Sequence, residues 1–435
     1  MTDEGGSTGR RTYLRRVALA AAAGLAGCAS LDGGTPTEPT APTATPTDEP
    51  TDTPTATPTP TERATPSPTA SPTPEPLAAV SGSYPSLRYD AGRRSFVPDA
   101  TGPVEAPAVA YTLDLPSAVH QPVVDGERLY LAGRRREPDG PTVEAFDLSR
   151  GTREWGVDLG SRAVAPPTVA GERVFVQTTD GTYGLAPDGS VVWSSGTVEN
   201  GGFAPTAVGD RVYAVGEDRL AAYDAAGARR WTLPLRTPPI AAPAADESAV
   251  YLLVPHDQLT TDVIAFDAED GATDWRATVP AEHGFPPVRA GDALYLTSDL
   301  QEGGVTALAA DDGDELWTVT NRLDRGTAVT ADRVVFTAGD RVFAHSRSDG
   351  SLDWSTPVSS TVVADPVADR DTVYVALDSE DGGSLYALAL DGGDGRWRVS
   401  FDRPVEAPVV VENGLLVPTR DRADGPERLH VLTRN

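Results

Sequence analysis

From about residue 108 onward the chain is a succession of short apolar runs broken by turn residues. Arg128–Ala132 (RLYLA) and Arg211–Val215 (RVYAV) place Val, Leu and Tyr between polar ends, a pattern suited to half-buried strands. Each such run is followed by a second one ending in Ala-Phe-Asp or an equivalent. An Asp and a Gly then come a few residues apart. Asp bonds to its own backbone and Gly tolerates positive φ, so the pair predicts a tight turn. A Trp opens the next run. Upstream stands a Pro-Val-like run, as at Pro122-Val123-Val124 or Pro408-Val409-Val410, joined to its successor by a turn such as Asp125-Gly126. The pattern predicts four antiparallel strands per unit, linked by short loops.

The unit recurs. AFDAEDGATDW ends at Trp275, and related stretches end at Trp155, Trp193, Trp231, Trp317, Trp354 and Trp397, which are all seven tryptophans of the chain. Their spacings are 38, 38, 44, 42, 37 and 43 residues. A period near 40 built from strands signals a propeller array. An eighth copy, AVAYTLDLP, carries Tyr111 in the Trp position, and residues 407–431 offer three strands and no Trp. The expected fold is therefore all-β, an eight-bladed β-propeller of four-stranded antiparallel blades. Its last blade would be closed by the N- and C-terminal strands, leaving no exposed sheet edge. Seven blades with flanking strands is the rival count. Pro187 and Ser346 depart from the motif, so looser turns are expected there.

The N-terminal part reads differently. Arg10 and Arg11 lie in RRTYLR, which resembles a twin-arginine export signal. An apolar run, 17–26, is too short for a membrane span and ends in Leu25-Ala26-Gly27-Cys28, which resembles a lipobox. A lipid on Cys28 would occupy the one cysteine of the chain and anchor it to a membrane. Residues 1–27 are thus expected to be a lipoprotein signal peptide. Residues 28–78 are a Thr/Pro-rich stalk that lacks the apolar side chains to pack. Residues 79–435 are expected to be the folded domain, displayed on the outer face of the cell membrane.

Charge narrows the partners. The 435 residues carry a formal net charge of −28, and all 36 basic residues are Arg. An acid excess without lysine resembles haloarchaeal proteins, whose hydrated carboxylate surfaces suit strong salt. Such a surface argues against nucleic acid as a partner. One cysteine excludes an internal disulfide and a cysteine metal cluster.

The repeat AxDxxxGxxxW resembles the tryptophan-docking motif of pyrroloquinoline-quinone-type (PQQ-like) repeat proteins, over roughly residues 80–435. The resemblance implies that Trp155, Trp193, Trp231, Trp275, Trp317, Trp354 and Trp397 pack between neighbouring blades. Residues 84–90 (YPSLRYD) resemble the short leader that precedes the first strand in many such proteins. Quinoprotein dehydrogenases share the motif, so PQQ with calcium is the cofactor the resemblance would allow. Their vicinal disulfide is impossible here, their calcium and acid constellation is not found in the sequence, and fold alone does not license the activity. No cofactor and no resident metal are expected. The chain is more similar to the propeller lipoprotein of the bacterial outer-membrane β-barrel assembly machine, an interaction scaffold.

Alternating strands put loops on two faces. One face holds the tight turns. The other holds the second-to-third and inter-blade connections, whose lengths vary, and this is the expected binding face. Its inter-blade segments offer His120, Gln121, Arg162, Asn200, Arg236, His283, Arg325 and Arg403, a mixture able to hold an anionic small molecule. Arg134, Arg135, Arg136, Arg420 and Arg422 form either a basic ridge for an acidic partner or glycan, or a set neutralised by Glu137, Asp139, Asp421 and Asp424. The acidic stretches at 378–381 and 311–314 lack a full calcium loop. The expectation is a monomeric, non-catalytic scaffold for a protein or surface glycan, with an oxidoreductase or a glycan-binding domain as alternatives.

Overall fold

The computed structural model describes residues 80–434, apart from 116–118, 134–140, 199–201, 258–259, 281–283, 299–302, 324, 380 and 422–426. Arg10, Arg11, Cys28 and the Thr/Pro-rich segment lie outside the described residues, as do Arg134, Arg135, Arg136, Asn200, His283 and Arg422.

Seven four-stranded antiparallel blades follow one another in chain order. Their strands lie within residues 123–157, 168–195, 206–234, 244–280, 288–320, 328–357 and 367–401. The eighth blade takes three strands from residues 409–433 and its outermost strand from Ala108–Leu115. That strand pairs antiparallel with Glu427–Thr433 from Ala108 opposite Thr433 to Leu115 opposite Glu427. The ring is an eight-bladed propeller closed by both ends of the folded chain, so the rival count of seven does not hold.

The repeat motif has a local reason at each of its positions. In seven blades the Trp stands directly opposite the small residue of the motif, as Trp275 opposite Ala265, or Trp193 opposite Gly184. A bulge follows at once, between Ala265 and Phe266 for example. The Gly then sits at positive φ beneath the preceding blade's indole. Gly313 has φ 80°, and a Cβ there would lie 2.6 Å from the Trp275 ring. Each indole Nε1–H donates to a backbone carbonyl further along the ring: Trp155 to Pro187 at 2.9 Å, Trp231 to Ala268 at 3.2 Å, Trp275 to Ala310 at 3.0 Å. Trp193, Trp317 and Trp354 do the same to Ala225, Arg347 and Leu390. Trp397 donates to Pro103, just ahead of the strand that completes blade eight. Tyr111 closes the circle by donating its hydroxyl to the carbonyl of Leu148.

The turns at Pro187 and Ser346 are not looser than the others. Ser346 N–H reaches Ser351 O at 2.7 Å, and Gly350 N–H reaches Ser346 O at 2.9 Å. Ala186 and Ser190 close the blade-two turn at 2.9 Å. Backbone bonds and a positive-φ Gly hold these turns, so the missing Asp side chain costs little geometry.

The segment before Ala108 does more than lead into the first strand. It runs once around the inside of the ring. Ser81 O accepts from Glu412 N of blade eight, and Gly82–Tyr84 (β1) pairs with the inner strand of blade one. Pro85 O then accepts from Val169 of blade two, Ala91 O from Ala245 of blade four, Gly92 O from Arg289 of blade five, and Arg94 O from Val329 of blade six. Phe96–Val97 (β2) finally pairs parallel with blade seven. Blade three is met by a side chain. Fully buried Arg93 donates to Ala204 O, Pro205 O and Thr206 Oγ1 there, to Pro243 O of blade four, and to Leu87 O of the leader itself. Burial first, and the neighbouring Arg88 second, push the Arg93 pKa below the ordinary arginine value.

Candidate functional site

The leader needs sharp turns to make its circuit, and it takes them at residues other than Gly. Arg88 (φ 59°), Tyr89 (φ 83°), Arg93 (φ 61°) and Ser95 (φ 51°) are all left-handed. Such residues cost about 1–3 kcal/mol each and persist only where their surroundings hold them. Here the surroundings are specific. Gln121 Oε1 accepts from the Arg88 N–H at 3.0 Å, and Gln121 Nε2 donates to the Tyr84 hydroxyl at 3.3 Å. Burial pushes the Tyr84 phenol well above its ordinary pKa, so the ring stays a neutral anchor.

Leu87, Arg88 and Ser95 contribute to the lining of a cavity of about 800 Å³ at the channel mouth, on the face of the inter-blade segments. Other walls come from Val363, Ala364, Val405, Ala407 and Pro418, with Asp365, Glu406, Arg420 and Asp421 among them. Mostly apolar walls with a few convergent polar groups are what ligand pockets show.

The Arg88 side chain, only 5% exposed, is fixed by three groups. Its Nε donates to Ser95 Oγ at 2.9 Å and lies 3.7 Å from Asp365 Oδ2, while its Nη2 donates to Thr327 O. Its Nη1 is buried without a hydrogen-bond partner. Asp365 is itself held by the Gly326 N–H at 2.8 Å, where a larger residue's Cβ would meet the carboxylate at 2.9 Å. Arg420 pairs with Glu406, and Arg403 lies 3.8 Å from Asp421.

Of the residues singled out in the sequence, Gln121, Arg325, Arg420 and Asp421 line this cavity, and Arg403 stands behind it through Asp421. Among the other described ones, His120, Arg162 and Arg236 do not line it. His120 is half-buried and its backbone N–H bonds Ala132 O, while Arg162 is exposed away from the cavity. Arg236 lines a separate cleft of about 430 Å³ between blades three and four, beside His256, Asp262 and Arg276. In that cleft burial pushes the Asp262 carboxyl upward, but hydrogen bonds from Thr278 and His256 outweigh it and leave the pKa lowered. Inter-blade segments differ in length and direction, so they do not form one ring of side chains. Arg88 and Ser95 were missed, because the leader was read only as a lead-in to the first strand. Three Arg among aromatics at 84–96, in a stretch without alternation, was the available signal.

Among the described residues no three His, Cys, Asp or Glu side chains gather as a metal ion would require. The single cysteine removes the disulfide that the dehydrogenase resemblance would supply.

Fold and mouth together define a closed eight-bladed propeller of PQQ-like repeats with a loop-face cavity. The chain belongs to the family described as outer membrane protein assembly factor BamB, whose model matches residues 107–186, 183–299 and 301–424. It is 29% identical over 190 residues to the outer membrane protein assembly factor BamB of Burkholderia pseudomallei, which covers 39% of this chain and 46% of that one. The chain thus matches just under half the length of that curated relative. Among solved structures, BamB from Moraxella catarrhalis superposes with a TM-score of 0.58 at 17% identity, covering 75% of this chain and 98% of that one. The quinohemoprotein alcohol dehydrogenase of Comamonas testosteroni gives 0.64 at 12% identity, covering 81% and 80%. At these identities the two structures share the fold, and nothing about chemistry follows from them.

Proposed function

We propose that this chain is an exported, lipid-anchored scaffold, held at the outer face of the cell membrane through Cys28, that binds a protein or surface glycan without catalysis. Its binding face is the one with the inter-blade segments and the variable hairpins. The observation that carries this reading is the mouth cavity of about 800 Å³, apolar-walled and floored by a rigidly held leader. A scaffold needs a shaped, preorganised recess more than it needs reactive groups. Membership of the assembly-factor family supports an interaction role, since the relatives' names describe proteins that work in assembly.

The quinone-dependent alternative draws on the likeness to the alcohol dehydrogenase. A photo-crosslinking residue at position 420 on the mouth, compared with one at position 210 on the tight-turn face, tests the proposal in intact cells. Adducts from position 420 and none from 210 are expected. Adducts from 210 alone would reverse the assignment of faces. Dye reduction by the purified chain with PQQ, calcium and an alcohol would overturn the non-catalytic reading.

A further inference from the structure

The mouth cavity carries a specific chemical demand, and reading that demand rests on the face assignment proposed above. Arg88 is a buried cation with one donor nitrogen, Nη1, left without an acceptor. A buried N–H without an acceptor has lost its water and gained nothing in return, so an oxygen supplied there is stabilised. Asp365 lies 3.7 Å from Nε, beyond a hydrogen bond, and Glu406 is engaged by Arg420. Acids and arginines balance around the cavity: Asp365, Glu406 and Asp421 against Arg88, Arg325 and Arg420. That balance disfavours a dianion such as phosphate and admits a single negative charge. The apolar walls at Val363, Ala364 and Val405 ask for an apolar body behind it.

We infer that the mouth cavity binds a carboxylate at the Arg88 guanidinium, with the ligand's apolar portion against Val363, Ala364 and Val405. Charge-assisted hydrogen bonds are roughly twice as strong as neutral ones, which sets a carboxylate above an amide of the same shape. The shared chemistry has two sources: the C-terminus of a partner chain, or a small free acid.

Calorimetric titration of the purified full chain separates them. The probes are hexanoate, hexanamide, and a heptapeptide ending in Val with either a free or an amidated C-terminus. Free acids are expected to bind about tenfold or more tighter than their amides. Tighter binding of the free peptide than of hexanoate identifies a partner's chain end, and equal binding identifies a small acid. Arg88→Lys is expected to lose the preference for acid over amide. That residue also ties Ser95 and Thr327, so Ala364→Phe serves as a second variant. It fills the cavity without touching the guanidinium, and it should abolish binding while leaving thermal unfolding near the parent's.

No binding of either acid to the parent chain overturns the inference, as does equal binding of acid and amide, or parent-like binding by both variants. If crosslinking at position 420 persists while the acids fail to bind, the carboxylate inference falls and the face assignment stands. Acid binding without crosslinks from 420 has the opposite meaning.

Discussion

Two belts hold this ring, and they are built on opposite principles. The outer belt is one interaction repeated: an indole donates to a carbonyl of the next blade and covers a positive-φ Gly in that blade's turn. Each seam is local, similar to its neighbours and replaceable, as Tyr111 demonstrates at the closing seam. The inner belt is a single unrepeated strip of chain that touches the inner strands in order, mostly through its own carbonyls. It is strained at four non-Gly residues and pinned by buried arginines. Redundancy tolerates local failure. A unique girdle concentrates its stability in a few side chains, and it also delivers Arg88 to the mouth.

The largest expected effect strikes both belts at once. Burial raises the pKa of Tyr84 in the leader and of Tyr130, Tyr213, Tyr251, Tyr295 and Tyr374, each of which lies against the Trp of its own blade. In the unfolded chain these phenols ionise near pH 10, while in the fold they keep their protons. Their stabilising contribution is therefore complete below about pH 10 and is lost as pH rises from there toward the folded pKa values. Each ring costs at most about 1.4 kcal/mol per pH unit in that window. Denaturant midpoints should be flat between pH 7 and 9 and fall steeply above 10. Tyr84→Phe should make the alkaline limb shallower, and an unchanged limb would mean that Tyr84 ionises freely.

Single substitutions then separate the belts. Arg93→Met strands the carbonyls of Leu87, Ala204, Pro205 and Pro243 in a buried setting. A loss of about 4–5 kcal/mol is expected, since each stranded acceptor costs about 1 or more. Trp231→Ala removes one buried seam of the outer belt and should cost about 3–4 kcal/mol, as for a large aromatic taken from a core. The two differ in character as well as size. Hydrogen exchange in Trp231→Ala should rise mainly in blades three and four. In Arg93→Met it should rise in inner strands all around the ring. Equal, local patterns for both would make the girdle just another seam.

The outer belt was legible in the sequence and the inner one was not, for a physical reason. A seam that recurs with a period near 40 residues imposes the same Gly and Trp at each turn, with a small residue opposite the Trp, and the repetition averages out local noise. Blade closure followed too, because a Trp-less C-terminal set and an orphan strand at 108–115 could only complete each other. The girdle has no copies. Its partners are backbone amides of distant strands, which leave no signature in the side chains opposite, as with Ala91 against Ala245. The mouth cavity inherits this. Gln121 and Arg325 stood out as polar residues on inter-blade segments, but Arg88, which lines the same cavity, belongs to the leader.

The smallest effect is the sharpest test of why the outer belt requires its Gly. Gly313 and Gly126 both have positive φ, at 80° and 62°. A Cβ at Gly126 would meet nothing within 4 Å, whereas at Gly313 it would press into the face of Trp275 at 2.6 Å. Gly126→Ala therefore carries only the left-handed backbone penalty, about 1 kcal/mol. Gly313→Ala adds displacement of an indole that also holds a hydrogen bond to Ala310. About 1–2 kcal/mol more is expected there, since a well-packed neighbour must move off its preferred position. If the two variants melt together, the motif Gly serves the turn alone, and the indole of one blade does not dictate the turn of the next. If they differ as expected, each outer seam is read from both sides, and the strict pairing of Gly with Trp along the sequence follows from one contact.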